Sequence, residues 1–264
     1  MTQQTILITG AGSGIGKATA IALAQKEHRV IATTHSQADA DDLTHLAQGN
    51  HWPIESFALD ITIAKDREKI LQYDLDVLIN NAAIGETGSL AEIEIEKIKQ
   101  TFEVNVFSTF ALTQVALKPM MEKDRGKIIF ISSLLGRVTA PFFGPYSMSK
   151  FALSSGAEML HSEVAQVTKN VQVAIIEPGA YHTGFNQKMI AKKFVWMDEK
   201  SYFYSLIDTL KKKEKRQFSL TEQKDLSSIV NQVVRAVEAE NPNLRSSAPW
   251  WQALGVRILR AAGK

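Results

Sequence analysis

The chain has 264 residues, 45% of them hydrophobic and 22% charged, and it contains no cysteine. Thirty basic residues against 28 acidic ones give a formal charge of +2, which excludes the basic balance of a dedicated nucleic-acid binder. Disulfides, thiolate metal ligands and a cysteine nucleophile are excluded as well.

In chain order, short apolar and β-branched runs alternate with helical patterns. A first strand is predicted over Thr5–Thr9, then a glycine-rich turn from Gly10 to Gly16 and a helix over Gly16–Lys26. Further strands are predicted at Arg29–Thr33, Ile54–Leu59, Asp76–Asn80, Lys127–Ser132 and Val171–Ile176. Between them helices are predicted at Ala38–Gln48, Ala64–Gln72, Ile93–Lys118 and Ser149–Lys169. The strands are apolar on both faces, as a sheet covered on each side requires. Such alternation predicts one α/β domain over residues 1–264, a doubly wound parallel sheet with right-handed crossovers. Beyond Pro178 aromatic residues gather, and the run from Lys211 to Arg216 reads as a solvated helix face.

The tail from Trp250 to Arg260 places apolar residues near helical spacing. It reads as a terminal helix packed on the body or on a neighbouring subunit, with a peripheral membrane contact as the alternative. No apolar run nears the roughly 20 residues of a spanning helix, and the N-terminal residues lack a signal-peptide pattern. A soluble, cytoplasmic protein is expected.

The turn after the first strand carries Gly10, Gly12, Gly14 and Gly16. Glycines between a first strand and a helix let backbone approach a pyrophosphate, whose charge the helix N-terminus favours. Tyr146 and Lys150 stand four apart at the start of a helix, which puts phenol and ammonium on one face. A phenol titrates near ~10, so acid–base work at neutral pH asks for a drop worth about 4 kcal/mol. One cation about 4 Å away in an effective dielectric of about 20 supplies that amount. Ser133, at the end of a strand, brings a hydroxyl to the same mouth of the sheet. The six histidines show no paired spacing with acidic partners, so no metal site is expected.

Taken together these motifs resemble the short-chain dehydrogenase/reductase family, single-domain Rossmann enzymes of about this length. The resemblance implies that Gly10, Ser13, Gly14, Ile15 and Gly16 form a cofactor turn. It places Asp60, with Ile61 beside it, at the adenine ring, and matches Asn80-Asn81-Ala82-Ala83 to an Asn-Asn-Ala-Gly motif whose last glycine is alanine here. Asn105, Ser133, Tyr146 and Lys150 fall at its catalytic positions. Pro178, Gly179 and Thr183 match the segment bordering the nicotinamide carboxamide. An NAD(P)-dependent oxidoreductase follows, with Tyr146 as acid–base. Ser133 would orient the substrate oxygen, and Lys150 would lower the phenol and bind ribose. Asn105 would hold a water that relays protons from Lys150. A catalytically silent NAD(P)-sensing protein and a nucleotide-sugar epimerase or dehydratase are the alternatives. The latter normally has a larger C-terminal domain.

Cofactor choice turns on the end of the second strand, where an acidic side chain would repel a 2′-phosphate. That position is Thr34, followed by His35 and Ser36, so NADP is favoured over NAD. The usual cations are absent too, so the preference should be modest and should grow as an imidazole gains its proton. Leu134, Leu135, Pro141, Phe142, Phe143 and Tyr181, with Phe185, Phe194 and Trp196 in a variable lid over residues 181–225, suggest a lipophilic substrate. The helices Ile93–Lys118 and Ser149–Lys169 correspond to the pair through which this family usually dimerises, so a homodimer or homotetramer is expected.

Overall fold

The computed structural model describes residues 2–195 and 197–263, without the side chains of Gln217 and Ser219; Trp196, expected in the lid, lies outside them. Its centre is a seven-stranded parallel sheet. In chain order it is built from β1 (Thr5–Ile8), α1 (Gly14–Ala24), β2 (Arg29–Thr34), α2 (Gln37–Gly49), β3 (Ile54–Ala58), α3 (Ala64–Glu68) and β4 (Val77–Asn80). Then come α4 (Ile95–Phe102), α5 (Thr109–Glu122), β5 (Gly126–Ile131), α6 (Gly144–Val164) and β6 (Val171–Pro178). The chain closes with α7 (Phe185–Lys193), α8 (Ile207–Thr221), α9 (Ser227–Glu238), β7 (Arg245–Ala248) and α10 (Trp250–Ala261).

The strand order is β3-β2-β1-β4-β5-β6-β7. The order reverses between β1 and β4, and such a switch leaves a crevice at the carboxyl ends of the strands where ligands bind. Strand residues alternate between two cores. Ile6, Ile8, Val30, Ile79 and Ile129 pack with α1 and α9, whereas Leu7, Ile31, Leu78, Ile128 and Phe130 pack with α5 and α6. This period of two on a sheet buried on both sides is why the strands read as continuous apolar runs.

Besides α9, which the sequence reading did not predict, three features depart from expectation. The predicted helix Ile93–Lys118 is interrupted by a π-helical segment over Glu103–Ser108, which separates α4 from α5. The helix bearing Tyr146 starts at Gly144 rather than Ser149, with Pro145 in its first turn, where a missing N–H costs nothing. An unpredicted strand, β7, pairs with β6. No helix among the described residues is long and apolar enough to cross a membrane.

Candidate active site

The glycine turn is stitched to the end of β4. The Thr9 hydroxyl accepts from the backbone N–H groups of Asn81 and Ala82, both at 3.0 Å, and Asn81 Nδ2 donates to the carbonyls of Thr9 (2.8 Å) and Gly10 (3.0 Å). Gly10 and Gly14 have φ of +66° and +56°, which a side chain would strain. A Cβ on Gly16 would lie 2.4 Å from the Gly10 carbonyl oxygen. The Ser13 side chain caps none of the first-turn N–H groups of α1, so these donors and the helix dipole remain for an anion. Together they form a cradle that fits a dinucleotide pyrophosphate.

Across the crevice stand Ser133, Tyr146 and Lys150. Ser133 follows β5 and accepts from the Leu135 N–H at 3.1 Å, which fixes its hydroxyl at the start of a 3₁₀ turn. Tyr146 and Lys150 are both buried in the first turns of α6. Burial pushes the Tyr146 phenol up to about 12, and a hydrogen bond from Ser133 opposes the rise. Burial also pushes the Lys150 ammonium down to about 7. Its Nζ donates to the Ile131 carbonyl at 2.8 Å and lies 5.7 Å from the centre of the Tyr146 ring. The expected lowering of the phenol by Lys150 is not what the structure shows: burial raises it, and the group that opposes the rise is Ser133.

Asn105 sits in the π-helical segment, fully enclosed. Its Oδ1 accepts from the Ile84 N–H at 2.8 Å, and Nδ2 donates to the Ile84 carbonyl (2.9 Å) and to Ser149 Oγ (3.0 Å). Its Oδ1 and one amide proton thus anchor the Ile84 loop, and the other amide proton ties the segment to Ser149 of α6.

At the end of β2 the Thr34 hydroxyl donates back to the Ser36 carbonyl at 2.7 Å and is buried. His35 is 85% exposed at the cavity wall, with Nδ1 3.9 Å from the Asp60 carboxylate. Asp60 accepts from the Thr62 N–H and hydroxyl, and Ile61 is in the core; neither is in the cavity wall. The group that sequence reading missed is Asp39. It lies in the wall, with its side chain about 3 Å from where a Cβ on Gly12 would be. Its sequence signal was the spacing Ser36-x-x-Asp39, a capping pair in which Asp39 N–H donates to Ser36 Oγ at 3.2 Å.

One cavity of about 640 Å³ joins these parts. Its wall brings together Gly10, Ser13, Gly14, Ile15, Gly16, His35, Asn81, Ala82, Ser133, Tyr146, Lys150, Pro178, Gly179 and Thr183. The side chain of Thr183 closes over Gly14. Farther along, Leu134, Leu135, Phe143, Phe185, Met189 and Phe218 make an apolar end, and the Phe185 ring lies 5.7 Å from that of Tyr146. Of the residues expected at the substrate, Phe142 is outside the wall, edge-on to Phe203. Tyr181 borders the cavity but is mostly core, its hydroxyl 2.7 Å from Ser228 Oγ. Pro141 and Phe194 do not line the cavity. From α10, Gln252, Gly255, Val256 and Leu259 complete the wall.

The sequence profile described as short chain dehydrogenase matches residues 4–193. The chain is 31% identical over 252 residues to a 3-ketodihydrosphingosine reductase of Bacteroides thetaiotaomicron, covering 93% of this chain and 88% of that protein. It is 28% identical over 262 residues to retinol dehydrogenase 5 of Mus musculus, covering 93% and 80%. A solved short chain dehydrogenase/reductase from Burkholderia phymatum, in complex with NAD, matches with a TM-score of 0.81 at 18% identity, covering 97% of this chain and 92% of that one. At that identity the likeness concerns the fold.

Proposed function

The chain belongs to the short-chain dehydrogenase/reductase family and is an NAD(P)-dependent oxidoreductase of the alcohol–carbonyl couple, and from that premise we propose which residues do the chemistry and on what. Tyr146 is the acid–base, Ser133 orients the reacting oxygen, and the substrate is lipophilic. The observation that carries this reading is the meeting of Ser133, Tyr146 and Lys150 with the glycine cradle and an apolar end in one cavity.

When bound, the nicotinamide supplies or accepts the hydride. Tyr146 gives a proton to the carbonyl oxygen in reduction and takes one from the alcohol in oxidation. A phenol pushed up to about 12 is protonated at neutral pH, so the site is ready as an acid. Ser133 Oγ already accepts from Leu135, which leaves its own proton for the phenol or the substrate oxygen. Lys150 would hold ribose hydroxyls and offset charge on the phenolate. Asn105 positions the Ile84 loop and, with a water, serves the proton relay from Lys150. Thr183, Pro178 and Gly179 border the nicotinamide, and residues 181–225 act as the substrate lid.

For the cofactor, the exposed His35 ring offers a hydrogen bond to a 2′-phosphate and the Asp39 carboxylate repels it. Preference for NADP over NAD is accordingly modest. Asp39→Asn should raise the NADP-to-NAD ratio of kcat/KM, and His35→Ala should lower it. Clear NAD preference at every pH, unchanged in both variants, contradicts this assignment.

The enzyme works as a cytoplasmic homodimer or homotetramer. Support comes from Phe107, Met148 and Met159 on the helical layer, all exposed large apolar side chains. The α10 helix closes the cavity wall, and no membrane role is assigned to it. The direct test of function is a screen of ketones and alcohols of increasing length with both cofactors. Turnover that improves with apolar length is expected, and no turnover of any of them overturns the reading.

A further inference from the structure

Beyond the reacting groups, an ion pair reaches the apolar end of the cavity through Glu214. Lys193, the last residue of α7, is 2% exposed and pairs with Glu214 of α8 through Glu214 Oε1. The same ammonium stands 3.8 Å from the centre of the Phe143 ring, a distance at which a ring face attracts a cation. The pair thus ties both lid helices to the loop that leads into α6.

The carboxylate of Glu214 is only half used by this arrangement. Its Oε2 is buried and has no hydrogen-bond partner among the described residues, although Glu214 belongs to the cavity wall. A buried acceptor on a charged group is costly when it lacks a donor. The neighbouring wall side chains Phe143, Phe185, Met189 and Phe218 have no donor to offer. An apolar wall with a single unpaired acceptor is built for a ligand that brings the missing donor.

We propose that Glu214 Oε2 is a substrate-recognition acceptor, and that the substrate is an amphiphile whose apolar chain bears a hydroxyl or ammonium donor away from its reacting carbonyl. This rests on the oxidoreductase reading above. Oε2 is covered as the side chain stands, so the carboxylate must turn toward the arriving donor; Lys193 holds Oε1 and balances the charge, so that donor need not neutralise it.

The test compares kcat/KM for straight-chain methyl ketones of increasing length, each plain, ω-hydroxylated, ω-ammonio or capped as an ω-methoxy ether. At one chain length the wild type should favour a donor-bearing ketone over its plain and methoxy counterparts by about tenfold. The hydroxyl and ammonium series show which donor is recognised. Glu214→Gln keeps an oxygen for Lys193 and replaces the free acceptor by an N–H donor. Its preference should swing from the donor-bearing ketone to the methoxy ether, a reversal that a purely structural role would not produce. Glu214→Asp, with the carboxylate drawn back by one methylene, should restore the donor preference at a longer chain.

Should the wild type treat plain and donor-bearing ketones alike at every length, the inference is overturned while the oxidoreductase reading stands. Parallel losses on all ketones in Glu214→Gln, with no change of ratio, overturn it as well. Absence of turnover with every ketone overturns both together.

Discussion

Burial acts on Tyr146 and Lys150 in opposite directions, and each shift disfavours the charged form. The Lys150 ammonium falls from 10.5 to about 7 because its surroundings are dry. Between those two values the unfolded chain binds more protons than the folded one, so stability rises with pH across that window. Below it both states are charged and the whole penalty applies; above it neither is. Without cofactor, Lys150→Met should therefore be more stable than wild type at pH about 6, by on the order of a few kcal/mol, with the gap closing by pH about 10. Urea unfolding across that range checks this. A variant less stable than wild type at every pH contradicts the burial argument. The same variant should lose turnover. Sequence spacing alone placed the two side chains on one helix face, but only the enclosed position of both reveals that desolvation, not their attraction, dominates before a cofactor arrives.

Among the elements, the β1–α1 turn is the one that the chain can least alter. A methyl on Gly16 would meet the Gly10 carbonyl oxygen at 2.4 Å and Asn81 Nδ2 at 2.5 Å, neither of which can retreat without breaking the Asn81 clamp. Gly16→Ala should cost about 1–3 kcal/mol of stability and most of the cofactor affinity. Thermal unfolding and cofactor titration measure the two losses, and an unchanged titration curve contradicts the cradle.

This turn was legible because glycine spacing and a flanking strand declare themselves locally, as did the apolar β1, β2, β4, β5 and β6. Other elements declare less. The strand β7 reads Arg-Ser-Ser-Ala, with no apolar run. Arg245 at its start pairs with the fully buried Glu177 of β6 and, at 2.7 Å, with Glu158 of α6. Its place is set by partners distant in sequence. The π-helical segment is likewise invisible in a periodicity that continues through it. By contrast, α9 carries Ile229, Val230, Val233, Val234 and Val237 at helical spacing, a signal that was present and passed over. Asp39 was hidden in another way: helix capping explains it fully until the fold brings it beside Gly12.

On the scale of the whole molecule, two faces deserve separate treatment. The helical layer exposes Phe107 and Met159, each 60% accessible, along with Met148; isolated apolar residues are ordinary on a surface, but such a group on adjoining helices suits a neighbouring copy. Light scattering at micromolar concentration should give a multiple of the 29.2 kDa chain mass; a monomer alone contradicts the assembly. The other face is the crevice, where the glycine cradle, the buried Tyr146 and the apolar lid converge. In the proposed function, one phenol moves the proton there while the cradle holds the cofactor independently. Tyr146→Phe removes only the hydroxyl, so the decisive measurement is steady-state turnover alongside cofactor titration in this variant. The expected result is a fall in kcat of about 10²–10⁴-fold or more with cofactor affinity nearly intact. A variant that keeps more than about a tenth of the wild-type rate would contradict it, since losing a general acid–base costs far more than that.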